Sequence, residues 1–279
     1  MEIAMTNEWT YRRLRKNFKT AISAMKTKPG LLKSVVLNRS NQVLYKEEEV
    51  IPIQTFLEDK KAKIKLIDKQ VSDAAYDLAC IHSEVAVMNF MGTDSAYENG
   101  KDFTWEGELC RCTTLFPNLC TDLVQQKFYQ HNKSRGNSLG SNRAIYIPEI
   151  ELFRTEMYRM DYPVVEPCFI NVIGMAAPDM SRYLVEMSGE ALKEIIKVRI
   201  ERAFQIAYSN GNQAFLTGAW GCGESKCAPD IVAKAYAEVL EKWQYYFKEI
   251  VFTIDGYESS AENDEIYSQF KNKLGKYFT

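Results

Sequence analysis

Residues 213–240 read QAFLTGAWGCGESKCAPDIVAKAYAEVL, and the fold turns on how they are read. Gln213 to Thr217 is apolar enough for a short buried strand, and Gly218-Ala219-Trp220-Gly221-Cys222-Gly223 is a glycine-rich turn leading into a helix. Glycine lets the backbone adopt positive φ and approach a ligand closely. Such a turn aims backbone N–H groups outward, and the helix behind it adds partial positive charge, which together make a seat for a phosphate or diphosphate. By itself the stretch is equally compatible with a tight strand-to-helix turn that binds nothing.

Working outward, apolar and amphipathic segments alternate. Asn7 to Met25 has helical spacing, with Asn7 as an N-cap and Pro29-Gly30 as a stop. Ser34–Leu37 and Gln42–Tyr45 read as short strands around a polar turn, and Lys63–Ile67 as a strand with one wet face. Ser72–Ile81 is helical; Glu84–Phe90 is apolar nearly throughout, as a central strand is. Helical pieces follow at Trp105–Leu115 and Thr121–His131, with Asn132–Asn142 as a loop. Ile145–Phe153 alternates, but Pro148 marks an edge strand or two short ones. Cys168–Met175 is a buried strand, Leu192–Ser209 an amphipathic helix ending at Asn210-Gly211, Ile250–Ile254 a last strand and Asn263–Leu274 a last helix. This order predicts an α/β sandwich around a mostly parallel or mixed sheet.

Composition narrows the function classes. The 279 residues carry a formal net charge of −2, which gives no basic footprint for a nucleic-acid backbone. No apolar run approaches membrane-spanning length and no signal peptide is visible, so no membrane partner is expected. Seven scattered cysteines argue for reduced thiols in a cytoplasmic setting. With only His82 and His131 as imidazoles and no zinc-like cysteine spacing, neither a metal nor a cofactor is expected.

In an open α/β sheet, ligands settle beyond the carboxyl ends of the strands. The loops after Glu84–Phe90 and Cys168–Met175 and the glycine-rich turn are therefore expected to converge. The first of them leads into Trp105-Glu106-Gly107-Glu108-Leu109-Cys110-Arg111-Cys112-Thr113-Thr114-Leu115-Phe116. That segment, with Met88-Asn89-Phe90 before it and Gly218 to Gly223 after it, resembles the microbial-type poly(ADP-ribose) glycohydrolases, a branch of the macrodomain superfamily. The similarity runs thinly from about Asn7 to about Phe270.

No clear linker divides the chain, so it reads as one structural unit in which residues 1–60 form an N-terminal helical and strand extension packed on residues 61–279. The resemblance implies that the latter is an ADP-ribose-binding, three-layer α/β/α macrodomain with a mixed, mostly parallel sheet. It implies ADP-ribose, or an ADP-ribosylated protein, as partner. The turn Gly218, Ala219, Trp220, Gly221, Cys222 and Gly223 would hold the diphosphate. Asn89 and Glu106 would face the distal ribose, with the region from Ile173 to Pro178 beside the adenine.

The departures matter as much. The family's Gln-Glu-Glu falls on Trp105, Glu106 and Gly107, so the position of the catalytic glutamate is glycine. Its triple-glycine loop is replaced by Asp94 to Lys101 with a single glycine, and its aromatic beyond the glycine-rich turn by Glu224-Ser225. Glycosidic cleavage needs a carboxylic acid near the leaving oxygen, and losing it costs about 10²- to 10⁴-fold. The expectation is ADP-ribose recognition by a depleted catalytic site; the alternatives are an active hydrolase using Glu106 and an interaction module whose cleft is vestigial. Whether Trp105 stacks on a ligand or fills its place stays open. For Cys222, a thiolate nucleophile at a helix N-terminus is the sharper idea, and loop structure the expected one.

Overall fold

The computed structural model describes residues 2–53, 60–93, 104–156, 162–254 and 261–279. Helices α1 (Glu2–Thr27) and α2 (Pro29–Ser40) lead into the short strand β1 (Val43–Tyr45). The series continues with β2 (Lys63–Ile67), α3 (Val71–Ile81), β3 (Val85–Met91), α4 (Trp105–Cys112) and α5 (Leu115–Leu119). After them, α6 (Asp122–Val124), a π-helical turn (Gln125–Tyr129) and α7 (Gln130–Ser134) form one run, followed by β4 (Ala144–Arg154) and β5 (Val164–Ala176). The chain ends with α8 (Gly189–Ser209), β6 (Ala214–Gly218), α9 (Pro229–Trp243), β7 (Glu249–Thr253) and α10 (Ala261–Leu274).

The strands form one seven-stranded sheet in the order β1-β4-β5-β3-β6-β7-β2. Pairings from β5 across to β2 are parallel, and β1/β4 and β4/β5 are antiparallel. Parallel strands need covering on both faces, which is why β3 is apolar without alternation. Ala86 and Met88 face a core with Ile196, Ile200 and Phe204 of α8, Tyr236 and Trp243 of α9 and Phe270 of α10. Val85, Val87 and Met91 face the other core, with Ala75 and Leu78 of α3, Leu109 of α4 and Phe128. The result is the three-layer α/β/α arrangement expected.

Several sequence expectations need correction. The first helix starts at Glu2, so Asn7 lies inside it rather than capping it. Pro29-Gly30 begins a helix instead of merely ending one: Pro29 occupies the first turn of α2, where its missing N–H costs nothing. Ser34–Leu37 is therefore helical, with Leu31, Val35 and Asn38 turned inward at helical spacing. The Asn132–Asn142 segment is helical as far as Ser134.

Pro148 sits at a bulge within a single strand. β1 covers only Ala144–Tyr146, so the proline lies where β4 has lost that neighbour. Glu149 there adopts a φ of 55°. Its N–H donates to Asn171 Oδ1 at 3.0 Å, while Asn38 Nδ2 donates to the carbonyls of Pro148 and Glu149 at 2.9 Å each. A buried side chain of α2 thus secures the irregular point of the sheet, and α1 and α2 close their own small core around Met25, Leu31 and Phe153.

Among the described residues, no helix is long and apolar enough to cross a membrane.

Candidate active site

A cleft of about 480 Å³ opens beyond the carboxyl ends of β3, β6 and β7. The three segments that the sequence brings together do meet there: Phe90, Met91 and Gly92 at the end of β3, Ala177 after β5, and Ala219 with Gly221 to Ser225 after β6. Lys69, Val71, Thr253, Ile254, Asn263 and Ile266 complete it. The sequence reading missed these last contributors. The available signal was the rule that parallel strands present their carboxyl ends together, applied also to β2 and β7.

The glycine-rich turn keeps its shape through internal hydrogen bonds. The amides of Trp220, Cys222, Lys226 and Cys227 donate to the carbonyls of Gly218, Ala219, Gly223 and Gly221. The N–H groups of Gly221, Gly223 and Glu224 lie outside the turn's own set. Gly221 has a φ of +81°, and a Cβ there would stand 3.0 Å from Ala177 Cβ and 3.1 Å from Cys227 Sγ. The six residues do not behave alike. Trp220 is fully buried in the core beneath α8 and α9. Gly218 is not at the cleft surface, because its open face is covered by Thr253 O and the Trp105 ring.

The opposite wall is aromatic. Trp105 stacks on Phe90 with ring centroids 4.1 Å apart and planes at 12°. It is half-buried, lines the cleft, and its buried Nε1–H has no hydrogen-bond partner. The ring packs on Gly218 at one edge and leaves cavity beside it.

Helix α4 divides its acids between two faces. Thr104 caps it, its hydroxyl accepting from Gly107 N at 3.1 Å. Glu106 turns inward, where its Oε2 accepts from Asn89 Nδ2 at 2.7 Å; both residues are buried, and neither lines the cleft. Glu108 does line it. Its Oε1 accepts from the N–H of Ser72 at 2.7 Å and from the Ser72 hydroxyl at 2.5 Å. Burial, followed by the charge of Glu156, pushes its pKa up to about 8 against the pull of the Ser72 bonds and Arg111. Behind it Arg111 Nε donates to Glu156 Oε2 at 2.8 Å, both side chains being buried.

Cys222 lines the cleft as a protonated thiol. Burial, then the neighbouring Cys227, raises its pKa well above the ordinary value, and Cys227 is itself pushed up to about 12 by burial. His82 and His131 are engaged elsewhere, with Glu249 at 2.9 Å and Glu47 at 2.7 Å, and neither reaches the cleft. No thiolate–imidazole pair is available there. Among the described residues no cluster of side chains suited to a metal ion occurs. The replaced triple-glycine segment, Asp94 to Lys101, lies outside the described residues.

The family model of the microbial-type PARG catalytic domain matches residues 17–155, the part of the chain that holds α4 and the strand before it. Residues 17–155 belong to the microbial-type PARG catalytic-domain family. No curated protein matches it in sequence. Among solved structures it is similar to poly(ADP-ribose) glycohydrolase (PARG) from Thermomonospora curvata, with a TM-score of 0.81 and 18% identity over 94% of this chain and 99% of that one. It is also similar to PARG from Deinococcus radiodurans solved in complex with ADP-ribose, with a TM-score of 0.75 and 21% identity over 88% and 98% of the two chains. A third match is the Thermomonospora enzyme bound to the inhibitor ADP-HPD, with a TM-score of 0.79 and 19% identity over 94% and 99%. At these identities the likeness is one of fold. Within the PARG fold this chain places a tryptophan, two glutamates on different faces and a glycine along the first turns of α4.

Proposed function

We propose that this protein recognises ADP-ribose, free or attached to a protein, through the cleft between the glycine-rich turn and the Phe90–Trp105 wall. The observation that carries the reading is the pairing of those two walls across one cavity. One offers backbone N–H groups on glycine; the other offers an aromatic face. A nucleoside diphosphate sugar needs both, since its charge is met by amides and its rings by stacking. Relatives of the same fold solved with ADP-ribose and with ADP-HPD support the choice of ligand.

The turn from Gly218 to Gly223 would seat the diphosphate, with Ala219, Gly221, Cys222 and Gly223 exposed to it, while Gly218 and Trp220 hold the turn in place. Asn89 and Glu106, assigned to the distal ribose by resemblance, stand as a hydrogen-bonded pair behind the wall and would support it from there. Hydrolysis of the family type is weakened by Gly107, which has no carboxyl to give. A hydrolase driven by Glu106 has less in its favour, because that carboxylate is buried against Asn89.

Calorimetric titration with ADP-ribose tests the reading. One-to-one binding is expected, with ADP retaining part of the affinity and Trp105→Ala weakening it about tenfold, in keeping with about 0.5–1.5 kcal/mol for a stacked ring beyond its buried area. Absence of both heat and thermal shift at millimolar ADP-ribose overturns it.

A further inference from the structure

The loss of the acid at position 107 leaves α4 with one carboxyl group that reaches the cleft, and it is not the one the family pattern points to. Trp105 and Glu108 are three residues apart, so they share a helix face, and both line the cavity. Glu106, about 100° away around the helix, faces Asn89 instead. Glu108 is also positioned. Ser72, in the first turn of α3, gives it both an N–H and an O–H on Oε1, and Ser72 is fixed in turn by accepting from the N–H of Glu156 at 2.8 Å. Among the described residues no hydrogen bond engages Oε2, which is the oxygen left for the cavity.

We propose that Glu108 is the general acid of this cleft, its carboxyl group giving a proton to the leaving oxygen of an O-linked ADP-ribosyl group. The inference rests on the cleft taking ADP-ribose, as proposed above. The proton on Oε2 passes to the leaving-group oxygen as the bond from ribose C1 to that oxygen breaks, the electron pair staying with the oxygen. A water molecule attacks C1 and its proton returns to the Glu108 carboxylate. The products are free ADP-ribose and the released hydroxyl, and no further reactant is needed. The surroundings suit an acid of this kind. Val71, Trp105 and Phe90 make that side of the cavity apolar, and the buried charges about the carboxyl are Glu156 and Arg111, with Lys69 lining the same cleft. Burial with Glu156 behind it keeps the group protonated at neutral pH, the state a proton donor requires.

The experiment measures ADP-ribose release from poly(ADP-ribose) and from serine-linked ADP-ribosyl protein, alongside calorimetric affinity for ADP-ribose. Wild-type protein is expected to release ADP-ribose slowly, with kcat/KM falling as pH rises through about 8. Glu108→Gln keeps an acceptor for Ser72; it is expected to lower kcat by about 10²-fold or more while changing ADP-ribose affinity less than threefold. Glu106→Gln, which disturbs the pair behind the Phe90–Trp105 wall, is expected to weaken ADP-ribose binding while costing less in kcat than Glu108→Gln. Glu108→Asp, which withdraws the carboxyl by one methylene, is expected to fall between wild type and Glu108→Gln and serves if the latter folds poorly. Binding without release by wild-type protein overturns the proposal and leaves the binding reading standing. So does release that survives in Glu108→Gln or is abolished in Glu106→Gln alone. Neither binding nor release overturns both.

Discussion

At Gly218 the sequence needs a residue without a side chain for a reason other than ligand approach. A Cβ there would stand 2.4 Å from the carbonyl oxygen of Thr253 and 2.9 Å from the Trp105 ring. The Thr253 carbonyl belongs to β7, which pairs with β6 at this point and cannot retreat. The ring can move only by leaving its stack on Phe90. Gly218→Ala is therefore expected to destabilise the protein by about 1–3 kcal/mol, the usual range for forcing a methyl group into a packed site. It should also weaken ADP-ribose binding through Trp105, although residue 218 itself lies off the cleft surface. Thermal unfolding and titration of one variant check both effects, and unchanged stability would mean that the strand ends part more easily than their pairing implies. By contrast, a Cβ at Gly223 meets nothing within 4 Å, so Gly223→Ala separates the ligand's need for close approach from the fold's need for space.

Among the elements, the caps separate stability from function. Ser188 accepts from Ala191 N at 3.2 Å at the start of α8, on the exposed surface. Thr104 does the same for α4 at the cleft, accepting from Gly107 N at 3.1 Å. Either side chain replaced by alanine should cost about 1 kcal/mol. Only Thr104→Ala should also weaken ADP-ribose binding, because α4 carries Trp105 and Glu108; equal affinities in the two variants would show that the helix start is held by packing instead. The same elements show what could be read in advance. The glycine-rich turn and its flanking strand and helix were legible because glycine spacing and apolar runs are local properties. Ser34–Leu37 was not, since Ser-Val-Val-Leu favours a strand locally, and only packing of Leu31, Val35 and Asn38 makes it a helix. Pro29 as a helix start was the signal available. On α4 the residues were legible but not their facing. Which of Glu106 and Glu108 meets the cleft depends on the rotation of the helix against β3 and α3, a matter of long-range packing that no motif records.

Across the whole molecule, the buried carboxyl groups set opposing responses to pH. Glu249 is held below the usual carboxylate range: burial pushes it up, but hydrogen bonds from Lys65 and His82 more than offset this, so its stabilisation is lost as pH falls. Glu108 works the other way. Its native pKa of about 8 lies above the 4.5 of an unperturbed glutamate, so the folded state holds a proton that the unfolded chain gives up between those values. The unfolded state then binds fewer protons than the native one, and stability declines as pH rises from about 4.5 to about 8. Replacing Glu108 with glutamine removes that dependence while keeping an acceptor for Ser72. The difference in unfolding free energy between Glu108→Gln and wild type is therefore expected to shift in favour of the variant from pH 5 to pH 8, measured by denaturant titration at each pH. A difference that stays constant over this range would show that Glu108 is ionised in the folded protein, with Ser72 and Arg111 outweighing burial and Glu156. It would also remove the proton that catalysis at this position requires, so a stability measurement without any substrate bears directly on the chemistry of the cleft.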